Sequence, residues 1–104
     1  MFRDFPWPFP GGAFPRELGA VVQRTVIDGS LPALLVLHAL DGGWAIGDGI
    51  NDPNLPGASV ATHIWHAIER NTSIAGLANL PPGHEARRAS LGEPWVVMER
   101  DWTP

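Results

Sequence analysis

An Asp-Gly dipeptide between two short apolar runs constrains the fold of this chain more than any other sequence feature. The runs cover residues 17–28 and 33–40, and Asp28-Gly29 closes the first of them. Two such runs joined by Asp-Gly are typical of a β-hairpin. The second run is apolar on both faces, which suits a central strand. We therefore expect the fold to begin with two strands that pair as a hairpin.

A third strand, a loop and a helix are predicted next. Trp44 and Ile46 lie two residues apart and predict one face of a short strand. Residues 48–58 are punctuated by Gly, Pro and Asn, which indicates a loop. Three apolar residues then recur at i, i+4 and i+8 as one stripe: Val60, Ile64 and Ile68. With Ser59 as its N-cap, this stripe predicts a helix that ends near Asn71.

The remainder of the chain predicts a short second helix and a last hairpin. Residues 73–80 carry the helix signals, and alternating patterns in residues 84–90 and 95–102 predict two strands around a turn. The resulting order is β-β-β-α-α-β-β. It predicts an α+β fold of two layers, in which an antiparallel sheet of about five strands has helices on one face. We expect residues 17–104 to form this single domain.

Residues 1–16 form a distinct N-terminal arm. They contain Trp7, four prolines and all four phenylalanines of the protein. Proline fixes φ and lacks an N–H, so the arm favours an extended or polyproline-like path. Three interpretations remain open: an arm laid over the domain surface, a flexible tail, and a docking or dimer-swapping peptide.

Composition excludes several classes of function. The 104 residues include no cysteine, which removes disulfides, thiolate nucleophiles and Cys-ligated metals. The net charge is −4 and all seven basic residues are arginine. Without a basic run, nucleic-acid binding is disfavoured. No apolar segment approaches the roughly 20 residues of a membrane span and no signal-peptide pattern is present. We therefore expect a cytoplasmic protein that does not bind membranes.

The segment "HIWHAIER" carries the most chemistry-like pattern. On a helix, His63 and His66 would be neighbours, and Glu69 stands three residues beyond them. The pair could contribute to a metal site or to acid–base catalysis, but a metal would need a further ligand, such as His38 or His84. An ordinary exposed helix face explains the same residues. We therefore predict no catalytic residue, no cofactor and no metal, and keep His63 and His66 as weak metal candidates.

The loop after the third predicted strand offers four oxygen-bearing side chains: Asp48, Asn51, Asp52 and Asn54. Calcium sites use such oxygens, but the spacing does not match a calcium-binding loop. Asn, Asp, Gly and Pro are also the residues that turns prefer. The sequence favours turn chemistry here over an ion site.

Five tryptophans are the most unusual compositional feature. Trp44, Trp65 and Trp95 fit a small core, whereas tryptophans at the two ends of the chain suit surface contacts, where this residue is often a binding hot spot. The predicted interaction surface comprises Trp7, Phe9, Arg88 and Trp102. Many tryptophans without a coherent catalytic set predict a non-enzymatic protein-binding module, whose partner is another protein or a second copy of this chain. The alternative is a small metal-dependent or acid–base enzyme using His63, His66 and Glu69.

From "LPALLVLHALDGGWAIGDG" onward the chain resembles a group of small bacterial proteins of unknown function. The shared pattern, over roughly residues 20–98, is "DG-W", then a helix, then "LP-G", "A-R" and "PW". Its positions here are His38, Asp41, Gly42, Trp44, Leu77, Leu80, Pro81, Gly83, Ala86, Arg88 and Trp95. Those proteins have "DG-WQF" where this chain has "GWAIG". The segment "GGWAIGDG" is also similar to immunity-type proteins that neutralise bacterial toxins. Neither group supplies a catalytic residue, and the second implies an immunity-like function.

Overall fold

The structure is a computed structural model that describes residues 5–52 and 54–99. Its strands are β1 (Gly19–Gln23), β2 (Leu35–His38), β3 (Trp44–Gly47), β4 (Ser59–His63), β5 (His84–Arg87) and β6 (Val96–Glu99). Its helices are α1 (Arg24–Ile27) and α2 (Ile64–Arg70), with 3₁₀ turns at Pro10–Gly12 and Thr72–Leu77. No helix in these two ranges has both the length and the apolar character that crossing a bilayer requires.

All six strands belong to one sheet, in the order β4-β1-β3-β2-β5-β6. The predicted α+β class, with helices packed on a largely antiparallel sheet, is confirmed. Two details differ from the prediction. The sheet has six strands rather than about five, and it is mixed, because β1 and β3 run parallel while the other four pairings are antiparallel.

The hairpin predicted for the first two strands is wrong. In the sheet β3 lies between β1 and β2, so these two strands never pair. Asp28-Gly29 instead ends the single turn of α1: the Asp28 N–H donates to the Arg24 carbonyl at 2.8 Å, and Gly29 takes the positive φ of 81°. Asp-Gly serves a helix C-terminus as well as a hairpin turn, because both need a residue with positive φ.

The predicted start of the main helix is also wrong. Residues Ser59–His63 form β4, which pairs antiparallel with β1 along its whole length. The helix begins only at Ile64, whose N–H donates to the Leu18 carbonyl at 2.8 Å. Ile64 and Ile68 are buried as predicted, and the helix ends before Asn71. Val60 does not belong to that helix, although its i, i+4 spacing to Ile64 is helical.

The core lies between one face of the sheet and the helices. From the strands it receives Ala20, Val22, Val36, Trp44, Ile46 and Ala86, and from the helical segments Val26, Ile64, Ala67, Ile68, Ile74 and Leu77. Trp44 and Ile46 therefore share one face of β3, as predicted. Ile64 and Ile74 are fully buried, so the helical layer depends on apolar burial rather than on capping side chains, which neither α2 nor the following 3₁₀ turn has.

The described part of the arm, residues 5–16, packs on the helical side of the domain. Phe9 and Phe14 are each only 4% exposed and belong to the core cluster. The indole N–H of Trp7 donates to the Ala78 carbonyl at 3.1 Å, and that of Trp65 donates to the Phe14 carbonyl at 2.9 Å. Of the three interpretations of the arm, this part of the chain follows the one laid over the domain.

Candidate functional site

The helices cover only one face of the sheet. On the other, Val21, Ala45 and Leu37 lie side by side across three adjacent strands. We call this surface the open face. It consists of two rows across β1, β3, β2, β5 and β6, two residues apart along each strand: Val21, Ala45, Leu37, Glu85 and Met98, then Gln23, Gly47, Leu35, Arg87 and Val96. Val21 is 49% exposed, which shows that no described element lies over this part of the sheet.

The open face is concave. A groove of about 320 Å³ runs across it, with a floor formed mainly by Val21, Leu35, Leu37 and Ala45. One wall belongs to the loop after β3, through Gly49, Asn51 and Asn54, and Arg87 lies at the other side. The floor is therefore apolar, whereas the rim carries amides and a guanidinium.

Asp48 holds the loop that forms this wall. Its side chain is fully buried and accepts hydrogen bonds from the Thr25 hydroxyl at 2.6 Å, the Asn51 amide at 2.9 Å, and the backbone N–H groups of Ile50 and Asn51 at 2.8 Å each. Burial alone would raise the pKa of Asp48, but these four donors stabilise the carboxylate more strongly and lower its pKa to about 2. The carboxylate thus shapes the loop, as turn chemistry predicts.

Gln23 ties the same loop to the sheet. Its amide oxygen accepts from the Asp48 N–H at 2.7 Å, and its amide nitrogen donates to the Asn51 carbonyl at 3.1 Å. A Cβ at Gly47 would lie 2.7 Å from that amide oxygen, so glycine at this position leaves the room that Gln23 needs. The wall is therefore held rigidly against the floor before any partner arrives.

An ion pair lies on the open face between the groove floor and β6. Arg87 donates through Nε to the Glu85 carboxylate two residues earlier on β5. Glu85 is largely buried, whereas half of the Arg87 side chain is exposed. The remaining guanidinium N–H groups can bind an acceptor on an incoming molecule, because arginine carries five donors and Nε uses one.

The four histidines fall into two separate pairs. His63 ends β4 and His66 lies in the first turn of α2, with their rings nearly parallel and 6.1 Å apart. His38 and His84 are register partners on β2 and β5. Because β4 and β2 are three strand spacings apart, about 14 Å separates the pairs at ~4.8 Å per strand.

The predicted third metal ligand therefore does not come from the other histidine pair. Across residues 5–52 and 54–99, no three His, Asp or Glu side chains come close enough to hold a metal ion. Glu69 is exposed beside His66 on the outer side of α2. Residues Ile64–Arg70 form a helix with one buried and one exposed face, as interpreted, whereas His63 was placed on that helix but lies half-buried at the end of β4.

His38 is a core residue with one unpartnered nitrogen. Its ring stacks on Trp44 at 4.0 Å and contacts the edge of Trp7 at 5.8 Å. Nδ1 is 2.6 Å from the Leu80 carbonyl and so carries the proton, while Nε2 is buried without a partner among the described groups. Burial lowers the pKa of His38, against smaller raising effects of the Leu80 carbonyl and of Asp41.

The predicted interaction residues have mostly structural contacts. Phe9 is buried and Trp7 half-buried, as described above. Arg88 is 6% exposed; it donates to the Ala33 carbonyl at 2.9 Å and to the Ser73 hydroxyl at 2.6 Å, and its guanidinium lies 4.2 Å from the Trp95 ring. Burial lowers the pKa of Arg88. Trp102 lies outside the described residues. A role of these four residues in binding stays a prediction, and the proposal below depends on others.

The open face is not identified from the sequence, because the run 33–40 is interpreted there as a central strand that is buried on both faces. Its apolar character on both faces predicted a central strand, which β2 is. Leu35 and Leu37 are nevertheless only half-buried, because no described element covers the side to which they point. The run 33–40 did contain a signal for the open face. A strand that is apolar on both faces needs cover on both, and the few helical segments of this chain cover one.

Comparison of the chain with models of known protein families, with curated proteins and with solved structures finds no match. The resemblance to small bacterial proteins and to immunity-type proteins therefore stays a prediction.

Proposed function

We propose that this protein is a non-enzymatic protein-binding module and that the open face is its binding surface. The observation that carries the proposal is the groove, whose apolar floor of Val21, Leu35, Leu37 and Ala45 is not covered by any described element. A concave apolar surface with a few polar groups at its edge is the usual form of a binding site. Apolar floor and polar rim together match the usual anatomy of a protein–protein interface.

The shape of the groove selects the kind of partner. Two copies of one concave surface leave a void between their floors, so the groove does not complement itself. A convex element of another protein fits better, and an amphipathic helix laid into a hydrophobic groove is a common mode of recognition. Apolar side chains of such a helix would contact the floor, while its polar flanks would bind Asn51, Asn54 and Arg87 on the rim.

An immunity-like role in the cytoplasm is the specific form of this proposal. The segment that is similar to immunity-type proteins, "GGWAIGDG", covers residues 42–49. It contributes Ala45 and Gly47 to the groove and begins the loop that walls it. The partner expected first is therefore a bacterial toxin domain that offers a convex apolar element.

The test is a charge placed on the groove floor. Val21→Glu puts a carboxylate where the partner would exclude water, and burying it unpaired costs binding free energy. Leu40→Glu is the matched control, since Leu40 is 65% exposed and follows β2 outside the groove. Both variants should keep the wild-type circular dichroism spectrum.

The assay uses tagged protein to retain a partner from cells of the source organism, and calorimetry on the purified pair. We expect wild type and Leu40→Glu to bind equally, and Val21→Glu to bind on the order of tenfold or more weakly, since an unpaired buried charge costs at least ~1.4 kcal/mol. If a purified partner binds Val21→Glu as tightly as wild type, the groove is not its site and the proposal is wrong.

A further inference from the structure

The edge strand β6 has features that the groove does not explain. All four of its residues are exposed, and in the described sheet it has a neighbour on one side only, β5. Val96 and Met98 point to the open face, whereas Val97 points to the opposite face, beyond the helical layer. Their exposed fractions are 56%, 47% and 50%. The strand is therefore apolar on both faces, and no strand within residues 5–52 and 54–99 pairs with its outer backbone edge.

We propose that β6 pairs antiparallel with β6 of a second copy of this chain, around a two-fold axis at Val97. Such pairing extends the six-stranded sheet of each copy into one continuous sheet across the dimer. It does not depend on the partner that the groove binds, because it uses the backbone edge of β6 rather than the groove floor.

Unprotected apolar edges are rare in monomeric proteins. Natural edge strands usually carry lysine, proline or a bulge that prevents another strand from pairing with them. The opposite edge of this sheet, β4, contains polar Ser59, Thr62 and His63 and leads directly into α2. The sequence of β6, Val-Val-Met-Glu, carries none of these devices, and its single charge lies at the last position.

The register follows from symmetry. In an antiparallel pair about a two-fold axis perpendicular to the sheet, each residue and the one opposite it point to the same face. An axis at Val97 sets Val97 opposite its own copy and Val96 opposite Met98, so the three central pairs are apolar, and Glu99 lies opposite Trp95. An axis at Met98 would set Val97 opposite Glu99, and an axis at Val96 would set Met98 opposite Pro94, which has no N–H to donate. The axis at Val97 is therefore the one of the three that pairs Val96, Val97 and Met98 with one another and keeps proline out of the ladder.

This self-complementarity favours a second copy over an unrelated strand. The buried area limits the affinity of this dimer, because a ladder of four residues per chain buries less than the roughly 1,200–2,000 Å² of a stable interface. We therefore expect a reversible dimer with a dissociation constant on the order of 10–500 μM, in the range of transient contacts. It should form and dissociate with concentration.

Charge substitutions at the axis test both the dimer and its register. In Val97→Glu or Val97→Lys, each alone, the new charge faces its own copy across the axis. Dimerisation should weaken more than about tenfold, since directly opposed like charges are strongly unfavourable. An equimolar mixture of the two variants should dimerise again, because the opposed charges are then complementary. Val21→Glu, at a side chain of equal exposure on β1, is the matched control and should dimerise like wild type.

Sedimentation equilibrium over a range of concentrations up to about 1 mM, above the expected dissociation constant, measures all five samples, after circular dichroism shows that each is folded. The proposal is overturned if wild type stays monomeric at the highest concentration. It is also overturned if Val97→Lys alone dimerises better than wild type, which would indicate pairing with Glu99, or if the mixture stays monomeric. A Val97 variant that loses the dimer but still binds the partner of the groove concerns β6 alone. A Val21→Glu variant that loses that partner but still dimerises concerns the groove alone.

Discussion

Replacing Asp48 with asparagine tests how the wall of the groove is held. Asp48 accepts four hydrogen bonds while buried, and its pKa falls from 3.8 to about 2. At ~1.4 kcal/mol per pH unit, this difference in pKa corresponds to about 2–3 kcal/mol of stabilisation of the folded state. Because the pKa is lowered on folding, the contribution is complete well above pH 3.8 and is lost as the pH falls towards 2.

An asparagine at this position keeps the shape but not the charge. Its amide nitrogen can only donate, and each oxygen of Asp48 accepts two hydrogen bonds, so two of the four donors would lose their acceptor. We expect Asp48→Asn to lower the free energy of unfolding by about 2–4 kcal/mol at pH 7. Urea denaturation followed by tryptophan fluorescence measures this value. Asp52→Asn, an exposed position in the same loop that caps the Asn54 N–H, is the matched control and should cost under about 1 kcal/mol.

The pH dependence provides the refutation. The difference in unfolding free energy between wild type and Asp48→Asn should shrink by about 2 kcal/mol between pH 6 and pH 2, because wild type alone takes up the proton at Asp48. Comparing the two proteins at each pH cancels the contributions of the other carboxylates. A difference that stays constant over this range would show that the four hydrogen bonds do not stabilise the charged form, and the account of the loop would be wrong.

Two further predictions concern the arm and the buried histidine. Phe9→Ala should lower the free energy of unfolding by about 3–5 kcal/mol in urea, because Phe9 is a core side chain despite its place in the arm; a cost near zero would show that the arm is peripheral. His38→Gln should make stability less dependent on pH as the pH falls below 6.5, because the wild-type imidazole has a lowered pKa and takes up its proton at a lower pH than it does in the unfolded chain. Thermal unfolding at several pH values measures this, and an unchanged slope would contradict it.

The parts of the fold that follow from the sequence are those in which one pattern has one solution. Trp44 and Ile46 two residues apart, Ile64 and Ile68 four apart, and the alternation of the last hairpin each led to the observed element. Two predictions failed because the pattern had two solutions. Asp28-Gly29 ends a helical turn instead of a hairpin, which allows β1 and β3 to run parallel.

The second failure has the same origin. A valine four residues before Ile64 fits a helix, but it also fits a strand that meets the helix at that point, because Val60 then faces the core from the sheet. The choice between helix and strand depends on the edge of β1 with which β4 pairs, and that edge exists only once the sheet has formed. Local periodicity cannot reveal it.

The candidate site was harder to predict than the fold. The groove combines floor residues from three strands with a wall from a loop, and these meet only after the sheet has formed. Aromatic residues in the arm drew attention as binding anchors, but Phe9 and Phe14 are needed to complete a core that few helical residues fill. In a domain of 104 residues, a core of this size recruits large apolar side chains wherever the chain offers them.

The two proposed surfaces fit into one assembly. A two-fold axis perpendicular to the sheet at Val97 keeps both open faces on the same side, so the dimer presents two grooves in one plane. Pairing Val96 with Met98 also places apolar side chains at the centre of that plane, between the two Glu85–Arg87 ion pairs. A partner with two convex elements could bind both grooves at once, and the second contact would then be intramolecular and gain from a high effective concentration. Weak pairing at β6 would therefore suffice, because a bivalent partner stabilises the dimer by mass action when it binds.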